Sequence, residues 1–137
     1  MKVHLVFAPS LLYSPYEVLG ENMWPPMGIL YLSSYLRSKM ENVEIKITDG
    51  CKIGYKNTIE EIKKFNPDIV GISFYTTLAH GASKLAKEVK RIFPSSIVVM
   101  GGPHASALPH DTLNTSGADI VVVGEGEEAF YRIVKSI

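Results

Sequence analysis

"SIVVMGGPHASALP", Ser96 to Pro109, decides how the chain is read. Its first half is a continuous run of β-formers rather than an alternation of apolar and polar residues. That pattern belongs to a parallel strand covered on both faces. Its second half leaves the strand through two glycines, a proline and a histidine. Paired glycines at the carboxyl end of a strand supply positive φ for a turn, or they remove side chains so that a flat group can lie on bare backbone.

Similar runs stand on either side of it. "VHLVFAP" from Val3, "VEIKITDG" from Val43, "DIVGISFY" from Asp68 and "ADIVVVGEG" from Ala118 read as strands. Of these, "VEIKIT" alternates, which suits a position nearer a sheet edge. Helical patterns separate them. Pro25 and Pro26 precede "MGILYLSSYLRSKM" as a helix start, since the N–H missing from a proline at the first helical position has no partner to lose. Thr58 and Glu61 form a capping-box pattern. Ala82, Leu85, Ala86, Val89 and Ile92 make an apolar stripe that Pro94 ends, and Phe130, Ile133, Val134 and Ile137 share one side of a last helix. Strict alternation with right-handed crossovers predicts a doubly wound, Rossmann- or flavodoxin-like α/β fold: five parallel strands in the order 2-1-3-4-5, helices on both faces.

At 137 residues the chain has the length of one domain, so residues 1–137 are expected to share a single core. Lys plus Arg and Asp plus Glu are 14 each, and no basic stripe is present, which argues against a nucleic-acid partner. No apolar run approaches the roughly 20 residues of a bilayer span, and the start "MKVHLVFAPS" reads as a strand rather than a secretory signal. A cytoplasmic location is expected. The single cysteine, Cys51, excludes an internal disulfide and cannot hold a zinc or iron–sulfur site alone.

In a doubly wound sheet, ligands bind beyond the carboxyl ends of the strands. The loop after the first strand is long and carries Tyr13, Tyr16 and Trp24; it reads either as a flap folded on the core or as a ligand lid. Pro26 and Gly28 close that loop, and Gly28 would let backbone approach a ligand or a neighbouring strand. Ser73, Tyr75, Thr76 and Thr77 follow the third strand. The threonines suit helix caps as well as a ligand, whereas Ser73 lies within the apolar run and needs a partner for its hydroxyl. Gly101, Gly102 and His104 follow the fourth strand, with His104 open to a turn, donor or metal-ligand role. Gly124, Glu125, Gly126, Glu127 and Glu128 follow the fifth. Acids in a first helical turn are favoured by the helix dipole, and they repel a phosphate there. No G-x-G-x-x-G follows the first strand and no G-x-x-x-x-G-K occurs, which weakens a nucleotide reading.

Together, "PPMGILYLSSYLR", "PDIVGISFYTT", "VVMGGPHASALP" and "ADIVVVGEGEEAF" resemble the amino-terminal cobalamin-binding domain of radical S-adenosylmethionine enzymes. The group in question includes the anaerobic magnesium-protoporphyrin monomethyl ester cyclase and cobalamin-dependent methylases. The resemblance implies a cobalamin-binding site that includes Pro26, Gly28, Ser73, Tyr75, Thr76, Gly101, Gly102, His104 and the loop from Gly124 to Glu127. Ser73 would sit near the benzimidazole tail, Gly101 and Gly102 would line its slot, and His104, Tyr75, Thr76 and the acidic loop would face the corrin amides or ribose. Other cobalamin enzymes use a D-x-H-x-x-G motif after the first strand, whose histidine ligates cobalt. That motif is absent here, and its look-alike "DGCKIG", Asp49 to Gly54, follows the second strand instead. Base-off cobalamin without a histidine ligand from this domain is the expectation. The iron–sulfur cluster and S-adenosylmethionine would belong to a carboxyl-terminal radical domain beyond Ile137. The domain itself should bind rather than catalyse. The alternatives are a module of the same fold for a flavin or nucleotide, or a cofactor-free interaction domain.

Overall fold

The computed structural model describes residues 1–12 and 24–137. The long first loop, with Tyr13 and Tyr16, lies outside the described residues except for its ends. Five strands, β1 (Lys2–Phe7), β2 (Glu44–Asp49), β3 (Ile69–Ser73), β4 (Ile97–Gly101) and β5 (Ile120–Val121), form one sheet in the order β2-β1-β3-β4-β5. Every pairing is parallel. The expected order and the edge position of the alternating strand β2 are both observed.

Among the described residues, six α-helices accompany the strands: α1 (Met27–Lys39), α2 (Gly50–Phe65), α3 (Ala79–Ile92), α4 (Pro103–Ala107), α5 (Pro109–Ser116) and, after β5, α6 (Glu127–Ser136). Helices α1 and α6 pack on each other, α2 packs on α3, and α3 on α5. Reversal of the crossover direction after β2 puts α1 on one face and α2 and α3 on the other, and its packing on α1 puts α6 on the first face. The stripe read in α3 is the buried one: Ala82, Leu85, Ala86 and Val89 are fully enclosed. In α6, Phe130 and Val134 are buried, while Ile137, just past its end, is exposed.

Helix starts differ from the sequence reading. Pro26 lies at the N-cap of α1, one position before the helix. Thr58 caps nothing: α2 begins at Gly50, with the Asp49 carboxylate accepting from the N–H groups of Cys51 and Lys52. Thr58 Oγ1 instead donates to the carbonyl of Gly54, at 2.7 Å, just past a break where Gly54 takes φ +81°. A local pattern cannot separate a cap from a hydroxyl that bonds four residues back, because both place a threonine before an apolar turn. Strand β5 pairs over only two residues, and its run ends in Val123, which is 58% exposed. A continuous apolar run at a sheet edge is thus covered on neither flank as fully as β3 or β4.

On the face toward α1 and α6, the register aligns Leu5 with Gly71 and Gly71 with Val99, then Phe7 with Ser73 and Ser73 with Gly101. Parallel partners point the same way, so Gly71, Ser73 and Gly101 leave the carboxyl half of that face nearly without side chains. The opposite face carries Ile72 and Met100, both buried.

Candidate functional site

The missing side chains leave a cleft of about 160 Å³ between the sheet and helices α1 and α6. Six of the chain's 11 glycines line it: Gly28, Gly71, Gly101, Gly102, Gly124 and Gly126. A Cβ built on Gly102 would lie 2.8 Å from Ser73 Oγ and 3.0 Å from the Phe74 carbonyl oxygen, and the residue has φ +99°. Only glycine fits there. A Cβ on Gly101 meets nothing closer than 3.7 Å, so its absence serves the cleft and not the packing. Gly71 lets Phe130 close the bottom, since an added Cβ would lie 3.1 Å from the ring.

Eight of the twelve site residues expected from the resemblance line this cleft: Gly28, Ser73, Gly101, Gly102, Gly124, Glu125, Gly126 and Glu127. Four do not: Pro26, Tyr75, Thr76 and His104. His104 Nδ1 is 3.0 Å from Thr76 Oγ1, its ring leans on Phe74 with centroids 5.3 Å apart, and its N–H reaches the Phe74 carbonyl. That bond, rather than a helix cap, is the use the structure gives Thr76. Tyr75 is half exposed and stands edge-on to Phe7. These residues form a ledge at the ends of β3 and β4. Among the described residues, Ser73 Oγ makes no hydrogen bond.

Sequence reading missed the walls. Ile29, Leu32, Gly71, Val99, Val122 and Phe130 supply them, and each looked like ordinary core in its own strand or helix. Ser106 was also missed: its hydroxyl accepts from the N–H of Gly124 at 3.0 Å and so fixes the loop between β5 and α6, where Gly124 takes φ +77°.

The acids divide by role. Glu125 is exposed and Glu127 half exposed at the cleft's mouth. Glu128 turns away: Tyr35 donates to it at 2.7 Å and Arg132 at 2.7 Å, which holds its carboxyl below the usual range. Cys51 is buried, and its thiol is pushed up to about 12 by burial and by Asp49. It donates to the Ala8 carbonyl. A buried thiol engaged in this way is structural rather than reactive. Among the described residues, no cluster of His, Cys, Asp or Glu is placed to hold a metal ion, and no helix is long and apolar enough to cross a membrane.

A glycine-walled slot opening at the carboxyl end of a doubly wound sheet suits a ligand with a flat part that lies on backbone. The sequence profile of the B12 binding domain matches residues 20–134. The chain belongs to the B12-binding domain family. An uncharacterized methyltransferase of Pyrococcus horikoshii is 37% identical across the whole chain, which spans 29% of that protein. The anaerobic magnesium-protoporphyrin IX monomethyl ester cyclase of Cereibacter sphaeroides is 28% identical over 88% of the chain, matched to 20% of its own length. The B12-binding domain thus spans less than a third of these curated relatives. A cobalamin-binding protein from Desulfitobacterium hafniense superimposes with a TM-score of 0.72 at 15% identity, covering 98% of this chain and 57% of that one; this likeness bears on the fold alone.

Proposed function

We propose that this B12-binding domain holds cobalamin with its nucleotide tail in the cleft between the sheet and helices α1 and α6, and its corrin over the loops at the sheet's carboxyl end. The observation that carries the reading is the stretch of backbone bared by Gly101 and Gly102, walled by Ile29, Leu32, Val122 and Phe130. The fit is chemical as well as spatial. A benzimidazole is flat and apolar, and its one free ring nitrogen matches the Ser73 hydroxyl, which makes no hydrogen bond among the described residues. Glu125 and Glu127 are acceptors, suited to the amide N–H donors of the corrin rim and unsuited to phosphate.

Cobalamin supplies a cobalt centre for methyl transfer or radical chemistry. The chain's own residues bind and orient it. With its tail in the cleft the benzimidazole would be held away from cobalt, the base-off state, and neither a D-x-H-x-x-G histidine, absent from the sequence, nor the buried Cys51 thiol would take its place. The parent protein is a radical S-adenosylmethionine methyltransferase or cyclase whose iron–sulfur cluster and S-adenosylmethionine lie in a domain carboxyl-terminal to this one. Residues 1–137 form the cofactor-presenting domain, which does not catalyse alone.

Incubation of the chain with hydroxocobalamin, followed by desalting, should leave a coloured protein with a base-off visible spectrum. A colourless protein that quenches flavin fluorescence on titration would replace this reading with a flavin module.

A further inference from the structure

We propose that the cleft selects the lower base of its cofactor, accepting a dimethylbenzimidazole in preference to a purine. This rests on the reading above, that the nucleotide tail of a corrinoid occupies the cleft. The side chains of Ile29, Leu32, Val99, Val122 and Phe130 that wall it are hydrocarbon, and all but Leu32 are buried. Among the described residues, the Ser73 hydroxyl is the one side-chain donor on the strand wall, and it has no partner.

A benzimidazole joined to its ribose through one nitrogen and released from cobalt keeps a single ring acceptor. One hydroxyl satisfies it, and the two methyl groups meet hydrocarbon. Adenine brings further ring nitrogens and an amino group to the same walls. Polar atoms buried without partners oppose binding. Glu125 and Glu127 stand at the mouth and only accept, so they serve an amine at most and leave the additional ring nitrogens unserved. A hydrocarbon wall discriminates against added polar groups modestly, by about 10- to 100-fold.

The test titrates the 137-residue chain with three corrinoids: hydroxocobalamin, its analogue with adenine as lower base, and cobinamide, which lacks the nucleotide. Cobalamin should bind roughly 10- to 100-fold more tightly than the adenine analogue, and cobinamide most weakly. The two bases also differ in their own affinity for cobalt. That difference cancels when the ratio of the two dissociation constants is compared between the wild type and Val122→Thr, a shape-matched change that adds one hydroxyl to the wall. One added hydrogen bond should lower the preference for cobalamin by about threefold or more. Val99→Thr offers the same hydroxyl from β4 if the first variant does not fold. Cobalamin binding with a ratio that the added hydroxyl leaves unchanged overturns base selection and leaves the cofactor reading standing. Cobinamide bound as tightly as cobalamin removes the tail from the cleft and overturns the inference. Failure of all three corrinoids overturns the cofactor reading itself.

Discussion

Gly101 and Gly102 are adjacent and alike in sequence, but they are glycines for different reasons. Gly102 has positive φ and no room for a Cβ, so Gly102→Val strains the backbone and drives into Ser73 and Phe74. Gly101 has ordinary van der Waals room. Gly101→Val should therefore keep the fold, with a thermal midpoint within a few degrees of wild type, and lose cobalamin after desalting because its methyls occupy the slot. Retained colour in a folded Gly101→Val protein would place the tail elsewhere. The glycine pair was legible in sequence as bare backbone at a strand end, but which of the two serves the turn and which the cleft was not. Nor was the fate of His104, since its partner Thr76 lies 28 residues away. A second residue-level prediction concerns His4, which is fully buried, with Nε2 2.8 Å from Thr48 Oγ1 and Nδ1 without a partner. Burial, aided by Lys46 and opposed by Glu61, lowers its pKa from 6.5 to about 4. The unfolded chain thus takes up a proton that the folded chain refuses as pH falls from 6.5 towards 4. Stability is full above that window and declines through it, by about 3 kcal/mol in total. Urea unfolding at pH 7 and pH 4.5 should show the decline, and His4→Gln should flatten it; an unflattened profile would assign the effect to other groups.

At the scale of elements, alternation of strand and helix was enough to read the sheet order, because a crossover of fixed hand leaves few ways to wind five parallel strands. Junctions were harder, since they depend on contacts between segments distant in sequence. The exit from β1 shows this. Pro9 runs between the first residue of α2 and the third of α3: a Cβ on Gly50 would lie 2.5 Å from the Phe7 carbonyl oxygen, and one on Gly81 would overlap the Pro9 carbonyl oxygen outright. Cys51 adds a hydrogen bond to the Ala8 carbonyl between them. Neither glycine stands out in sequence, since Gly50 follows a strand like many turn glycines and Gly81 sits in a helix where alanine would be favoured by about 1 kcal/mol. Gly81→Ala should nonetheless destabilise by about 3 kcal/mol, because overlap with backbone cannot be relieved by a rotamer change. In thermal unfolding this amounts to a fall of roughly 10 °C. A variant as stable as wild type, or more so, would show that the loop after β1 yields freely.

The whole molecule divides its two faces between different tasks. Toward α2 and α3, the sheet is packed by residues such as Val70, Ile72, Val98 and Met100, and the pairing of His4 with Thr48 sits within that packing. Toward α1 and α6, the carboxyl half is left open along Gly71, Ser73 and Gly101, so the fold forgoes apolar burial where the cleft runs. Each fully buried aliphatic side chain contributes about 1.5 to 3 kcal/mol, so a bare column is a sizeable omission that a ligand's apolar tail would make good. The cleft was legible in sequence only from its glycine side, because its hydrocarbon wall is made of residues that any core would use. Occupancy should then be visible as stability. A ligand that binds only the folded state, present at 100 times its dissociation constant, adds about 2.7 kcal/mol. For a domain of this size that is a rise of roughly 10 °C in the thermal midpoint. Hydroxocobalamin should produce that rise in the wild type and almost none in Gly101→Val. An equal rise in both proteins would mean that the corrin is held by the loops alone and that the open column has another use.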